Sequence, residues 1–331
     1  MAIRYPRIPG LGDLLYRYFL SGKEVTDPQL NTSREALLIE LKDFGIASFA
    51  AAALGMPLES ITNQAMQRTP LMLLIADEIS KTLSDQGVKN YYIRGAYIAT
   101  FYPHPQLRSF SDLDLLINPE DLHQTISFLK DRGAYTAKKD QISFQRGYWD
   151  GMQFFFNKPQ KLLLELHVDF APLNRFPNPQ IIYPPIKVKE ELVIQALAVI
   201  LHSSTHHYQS PLRALLDIMV LSAHGLDWTI LGKLIDKRKA WKAALPLIAD
   251  LDDFAPGIVP LSYVKRSLTI NQVQYIRMMA DKITQSGGVY RHGNLLRRSV
   301  LTTLYLPDID HALGALLRGL DFHLFYSKIA T

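Results

Sequence analysis

Arg108-Ser109-Phe110-Ser111-Asp112-Leu113-Asp114-Leu115-Leu116-Ile117 is the stretch on which the fold turns. Residues 113–117 are a short apolar run closed by Asn118-Pro119, the signature of a buried strand. Side chains alternate along a strand, so Asp112 and Asp114 share one face while Leu113 and Leu115 take the other. Two carboxylates this close repel one another unless a cation lies between them. Magnesium suits that position, because it takes oxygen ligands and binds through carboxylates together with substrate phosphates. Manganese, with similar ligand preferences, is its natural substitute.

Upstream, residues 88–93 are β-rich and run into Arg94-Gly95-Ala96 and a short helix over 96–101 that Pro103 and Pro105 stop. A strand leading through glycine into a helix turns backbone N–H groups toward a ligand, so Gly95 and Ala96 are candidate phosphate contacts. Arg94 and Arg108 are candidates for bidentate bonds to phosphate oxygens, and Ser111 stands beside them. Downstream, residues 162–170 read as a strand on which Glu165, His167 and Asp169 share one face. Glu165 is then the third carboxylate, a ligand for a second metal or the acceptor of a hydroxyl proton. Between them, Pro119 opens a helix over 120–130, and residues 141–146 and 152–156 read as a hairpin around 147–151. Together these make a mixed sheet of about five strands between residues 83 and 170, with helices against it.

The flanks are helical. Residues 35–53 and 70–83 carry apolar side chains at helical spacing, with Leu71, Leu74, Ile75, Ile79 and Leu83 on one face of the second segment. Beyond the proline-rich stretch 172–185, helices are expected over 190–203, 212–224, 228–239 and 241–250, with more in the tail from 272. The expected organisation is an N-terminal helical region (1–82), a core (83–172) and a C-terminal helical domain (186–331). Of the 331 residues, 48% are hydrophobic and 20% charged, the balance of a globular protein with a sizeable core. The absence of cysteine excludes disulfides, thiolate metal sites and a cysteine nucleophile. A formal charge of +5 suits an anionic ligand, although the basic residues are scattered in short clusters. The first residues lack the marks of a signal peptide and no apolar run approaches the roughly 20 residues of a membrane span, so a cytoplasmic protein with no membrane partner is expected.

The order strand–Gly–helix, Asp-x-Asp strand, then an acid on a later strand resembles the DNA-polymerase-β-like nucleotidyltransferase superfamily. Within it, the chain is similar to the bacterial family of uncharacterised nucleotidyltransferases. That family's Lys-Gly, Arg with Asp-φ-Asp, and Glu-φ-His appear as Arg94-Gly95, Arg108 with Asp112-Leu113-Asp114, and Glu165-Leu166-His167. Leu201-His202, Leu212-Arg213 and Leu216-Asp217 follow its His…Leu-Arg…Leu-Asp pattern, so the similarity runs from about residue 33 to residue 247. Arginine stands at 94 where lysine is usual, and Ala96 stands where the wider superfamily often has serine; both change the contacts offered to phosphate.

The resemblance implies an α+β fold in which a small mixed β-sheet nucleotidyltransferase core is flanked by helical regions. It also implies a magnesium-dependent transfer of a nucleoside monophosphate from an NTP such as ATP, GTP, CTP or UTP, with release of pyrophosphate. Asp112, Asp114 and Glu165 are then catalytic and metal-ligating, while Arg94, Gly95, Ala96, Arg108, Ser111, His167 and Arg213 contact the nucleotide. A small molecule, peptide or protein is expected as acceptor ahead of nucleic acid. Two other readings share the pattern: an inactive nucleotide- or partner-binding module, and a toxin-like enzyme that modifies RNA ends. His202 and His206 have zinc-ligand spacing, but the sequence between them lacks the glutamate of the zinc-protease motif. These two and His207 are expected to line the cleft or serve the core. No P-loop and no Gly-x-Ser-x-Gly is present, which disfavours Walker-type NTPases and α/β-hydrolases.

Overall fold

The computed structural model describes residues 10–25, 33–42, 46–56, 64–136, 151–157, 161–169, 188–205 and 211–264. Among these residues α1 (Leu11–Ser21), α2 (Arg34–Lys42), α3 (Ala47–Ala53) and α4 (Gln64–Asp85) come first. Then follow β1 (Asn90–Ile93), α5 (Gly95–Ala99), β2 (Asp112–Ile117), α6 (Leu122–Asp131), β3 (Gly151–Phe156) and β4 (Leu162–His167). The chain continues through α7 (Val188–Thr205), α8 (Pro211–Ala223), α9 (Trp228–Lys237), α10 (Trp241–Phe254) and α11 (Leu261–Val264).

The strands form one mixed sheet in the order β1-β2-β4-β3. β2 is antiparallel to β1 and parallel to β4, and β3 closes the far edge antiparallel to β4. β2 thus has a neighbour on both sides, which explains why it is almost wholly buried and, apart from Asp112 and Asp114, made of leucine and isoleucine. An isolated bridge from Tyr135 to Phe155 lies beyond β3. The strand expected over 141–146 lies outside the described residues, as do the tail helices.

Alternation divides the sheet into two faces with different partners. Leu113, Leu115 and Ile117 of β2, with Leu164 and Leu166 of β4 and Phe154 of β3, bury against Met72, Ile79 and Leu83 of α4 and Phe128 of α6. At about 1.5–3 kcal/mol for each fully buried large apolar side chain, this face is the sheet's main source of stability. The opposite face contributes Ile93 and Leu116, with half-buried Tyr91 packed beside them, to a second core shared with α1 to α3 and α7 to α10. It also carries Asp112, Asp114, Gln153, Glu165 and His167, and these polar side chains form the site.

Two helical expectations need correction. The single helix expected over 35–53 is two helices, since α2 ends at Lys42 and α3 starts at Ala47 behind a non-helical Ile46. In α4, Leu71 and Leu74 do not face the core; they are 44% and 69% exposed. The buried stripe is Met72, Ala76, Ile79 and Leu83. The sequence offers two apolar stripes about one residue apart, and the shape of the sheet surface selects the second. α4 also starts earlier than expected, at Gln64, with Pro70 inside it, and runs past residue 82 as a layer of the sheet unit. Arg68 fastens it there by donating to the Lys161 carbonyl at 2.7 Å.

Candidate functional site

The parallel pairing of β2 with β4 sets Asp114 beside Glu165 and Leu116 beside His167. One ligand atom each from Asp114, Glu165 and His167 lies within 4.8 Å of the others, in the arrangement that could hold a metal ion. His167 Nε2 is 3.0 Å from Asp114 Oδ1 and 3.7 Å from Glu165 Oε2. Gln153, across from Glu165 on β3, donates to Glu165 Oε1 at 2.7 Å and orients that carboxylate. Gly151 stands opposite His167, and a Cβ there would lie 2.7 Å from the ring's Cε1, so this glycine makes room for the imidazole.

Asp112 is on the same face one pleat earlier, at the more exposed end of β2, and it is not part of the three-residue cluster. Burial first, and then the charge of Asp114, raise the pKa of its carboxyl group. Ser111, exposed, donates to Asp112 Oδ1 at 3.2 Å. The metal ligand set expected from the sequence therefore comes together only in part. Asp114 and Glu165 converge, and His167, read from the sequence as a nucleotide contact, joins them.

Arg94 is the cation of this face. It sits between β1 and α5 at φ 59°, ψ −124°, a conformation rarely adopted by a residue with a Cβ. Such strain costs on the order of 1–3 kcal/mol and persists only where surrounding contacts fix it. Here Gln195 of α7 fixes it: Gln195 Oε1 accepts the Arg94 N–H at 2.7 Å, while its Nε2 donates to the Tyr92 carbonyl at 2.9 Å. The side chain turns back over the sheet, 5% exposed, and its guanidinium meets Asp114 Oδ1, His167 Nε2 and His202 Nδ1.

Sequence reasoning set His202 of α7 at the cleft or in the core but missed Glu191 and Gln195 on the same helix. Glu191, Gln195 and His202 are spaced by four and seven residues, which places them on one stripe of a helix whose stretch 192–201 is apolar apart from Gln195. Glu191 accepts from the Tyr97 hydroxyl at 2.5 Å, so the whole stripe faces the β1–α5 turn. That spacing was the available signal. His206 and His207 lie outside the described residues.

Of the remaining expected phosphate contacts, Gly95, Ala96 and Arg108 are engaged within the fold. Gly95 and Ala96 are buried in a five-residue helix, and a Cβ on Gly95 would lie 2.9 Å from the Phe110 Cβ, so close packing requires this glycine. Arg108 is buried and bidentate to Asp217 of α8, at 2.7 Å from Nε and 2.8 Å from Nη2. Tyr102 donates to the same carboxylate at 2.9 Å. Asp217 thus pairs with a residue 109 positions away rather than with Arg213 four positions before it. Arg213 stays exposed at the start of α8, within electrostatic reach of Arg108 and Asp112. Asp169, the third polar residue of the last strand's face, is instead bidentate to buried Arg238 beyond α9, at 2.7 and 3.1 Å.

A family model described as uncharacterised nucleotidyltransferase matches residues 36–249, which is more than half of the chain. No curated protein and no solved structure matches it. Among the described residues, no helix is long and apolar enough to cross a membrane.

Proposed function

The chain belongs to the uncharacterised nucleotidyltransferase family, and from that premise we propose that it moves a nucleoside monophosphate from an NTP to a hydroxyl acceptor. The observation that carries the reading is the convergence of Asp114, Glu165 and His167 on the polar face of the sheet. Two carboxylates and an imidazole fit a divalent ion, with carboxylates suiting magnesium or manganese and the nitrogen donor tilting the preference toward manganese. Such an ion, when bound with the triphosphate, neutralises charge on the phosphates and on the leaving pyrophosphate.

To this chain's own residues we assign the following work. Asp114, Glu165 and His167 hold the cation, and Gln153 and Gly151 hold two of those ligands in position. Arg94, fixed by Gln195, and exposed Arg213 supply positive charge to phosphate oxygens. Asp112, on the same face but outside the cluster and nearer solvent, takes the acceptor's proton. The acceptor oxygen forms its bond to the α-phosphorus as the bond to the bridging oxygen breaks, and pyrophosphate leaves with the electron pair. The pairs Arg108–Asp217 and Arg238–Asp169 keep the helical layer over this face.

The Arg94–Asp114 ion pair also favours a second reading, a nucleotide-binding module without turnover. Both readings require magnesium-dependent nucleotide binding, and release of pyrophosphate separates them. The test is calorimetric titration of ATP, GTP, CTP and UTP with magnesium into wild type and Asp112→Asn/Asp114→Asn. One nucleotide should bind, and that binding should vanish in the double variant. Folded wild type that binds none of the four would sink both readings.

A further inference from the structure

We infer that Arg94 is a tethered counter-cation that occupies the acidic cluster at rest, so that a divalent metal must displace it from Asp114. The inference rests on the metal-site reading above. Asp114 Oδ1 accepts from the Arg94 guanidinium, and the same guanidinium nitrogen lies 2.9 Å from His167 Nε2, which is itself 3.0 Å from Asp114 Oδ1. A metal held by Asp114, Glu165 and His167 would draw on the same carboxylate and the same imidazole. A second cation at that spot would stand against the first in a buried setting, where like charges repel far more strongly than in water. Metal and guanidinium therefore exclude one another at Asp114.

The displaced arginine has a defined path. Its backbone is pinned by Gln195, so the side chain moves while the anchor stays. The other guanidinium nitrogen is held by His202 on α7, which keeps Arg94 on this face of the sheet. Leaving Asp114, the guanidinium needs a new anion, and the phosphates that accompany the metal supply one. Metal without nucleotide would cost Arg94 its contact with Asp114 and bring no phosphate to replace it. Metal and nucleotide consequently bind as a coupled pair, each weakly when alone. Arginine serves this role better than lysine, since its charge persists through burial and its planar fork contacts Asp114, His167 and His202 together.

The experiment measures manganese binding in the absence of nucleotide, by the electron-paramagnetic signal of free Mn2+, in wild type, Arg94→Ala and Arg94→Gln. Arg94→Gln retains hydrogen-bonding capacity without charge and serves if the alanine variant does not fold; circular dichroism monitors both. Removing the charge should tighten Mn2+ binding at least about ten-fold, within the usual range of coupling between sites. Asp114→Asn in the same background should abolish the gain. A folded Arg94→Gln that binds Mn2+ no more tightly than wild type overturns the inference. Failure of the enzymatic reading has a different signature: tighter Mn2+ binding in the variants, with no nucleoside triphosphate bound by any of the proteins.

Discussion

At the scale of single residues, the site is built by small side chains as much as by charged ones. Gly151 shows it best, because the His167 ring occupies the space a Cβ there would fill while Nε2 contacts Asp114. Gly151→Ala is expected to push the ring aside and cost about 1–3 kcal/mol, as overpacking of a buried site does. Urea denaturation measures that loss, and the same variant should bind Mn2+ more weakly. Unchanged stability together with unchanged Mn2+ affinity would show that the ring has another place to go. The carboxylates themselves were legible in the sequence, since Asp112 and Asp114 on a strand, and Glu165 with His167 on another, follow from alternation alone. The partner of Arg94 was not. Its positive φ and its turn toward Asp114 depend on Gln195, 101 residues away.

At the scale of elements, two buried ion pairs hold helices to the sheet unit. Arg108, just before β2, grips Asp217 on α8, and Asp169, just after β4, grips Arg238 at the end of α9. Arg108→Met should destabilise the protein by roughly 3–5 kcal/mol, because Asp217 is left charged and buried without its main partner. Arg108→Met/Asp217→Leu should recover at least half of that loss, since an apolar pair of similar volume needs no desolvated charge. Chemical denaturation of the two single variants and the double closes the cycle, and purely additive losses would show that the pair contributes no coupling. Element by element, the strands were the most readable feature, with alternation and Pro-Gly punctuation setting their limits. The phase of α4 was not readable: Leu71 and Leu74 compete with Met72 and Ala76 for the inward position, and only the sheet decides between them.

At the scale of the whole molecule, one sheet separates two cores, and the polar face lies on the side of the larger helical one. Tyrosines beside this boundary give the fold an alkaline limit. Burial above all raises the pKa values of Tyr91, Tyr92, Tyr97 and Tyr102, with nearby carboxylates adding to the effect. An unfolded chain ionises its tyrosines near pH 10, about where the folded chain still keeps these protons. The unfolded state therefore sheds protons first, and stability should hold below about pH 10 and fall as the pH rises past it. Urea unfolding from about pH 8 to 11 measures the decline, and the tyrosinate absorbance of these four residues should appear only together with unfolding. Constant stability to about pH 11 would mean that water reaches these hydroxyls. What the sequence by itself determined is local: strands and helices follow from periodicity, two faces of opposite character follow from alternation, and the family follows from motifs along 36–249. What only the tertiary structure decided is every match between distant segments, namely β2 beside β4 in register, Arg94 on Asp114, and Arg108 on Asp217. Local pattern fixes which way a side chain points from its own backbone, whereas the partner it meets depends on how non-adjacent elements pack, and no spacing along the chain encodes that.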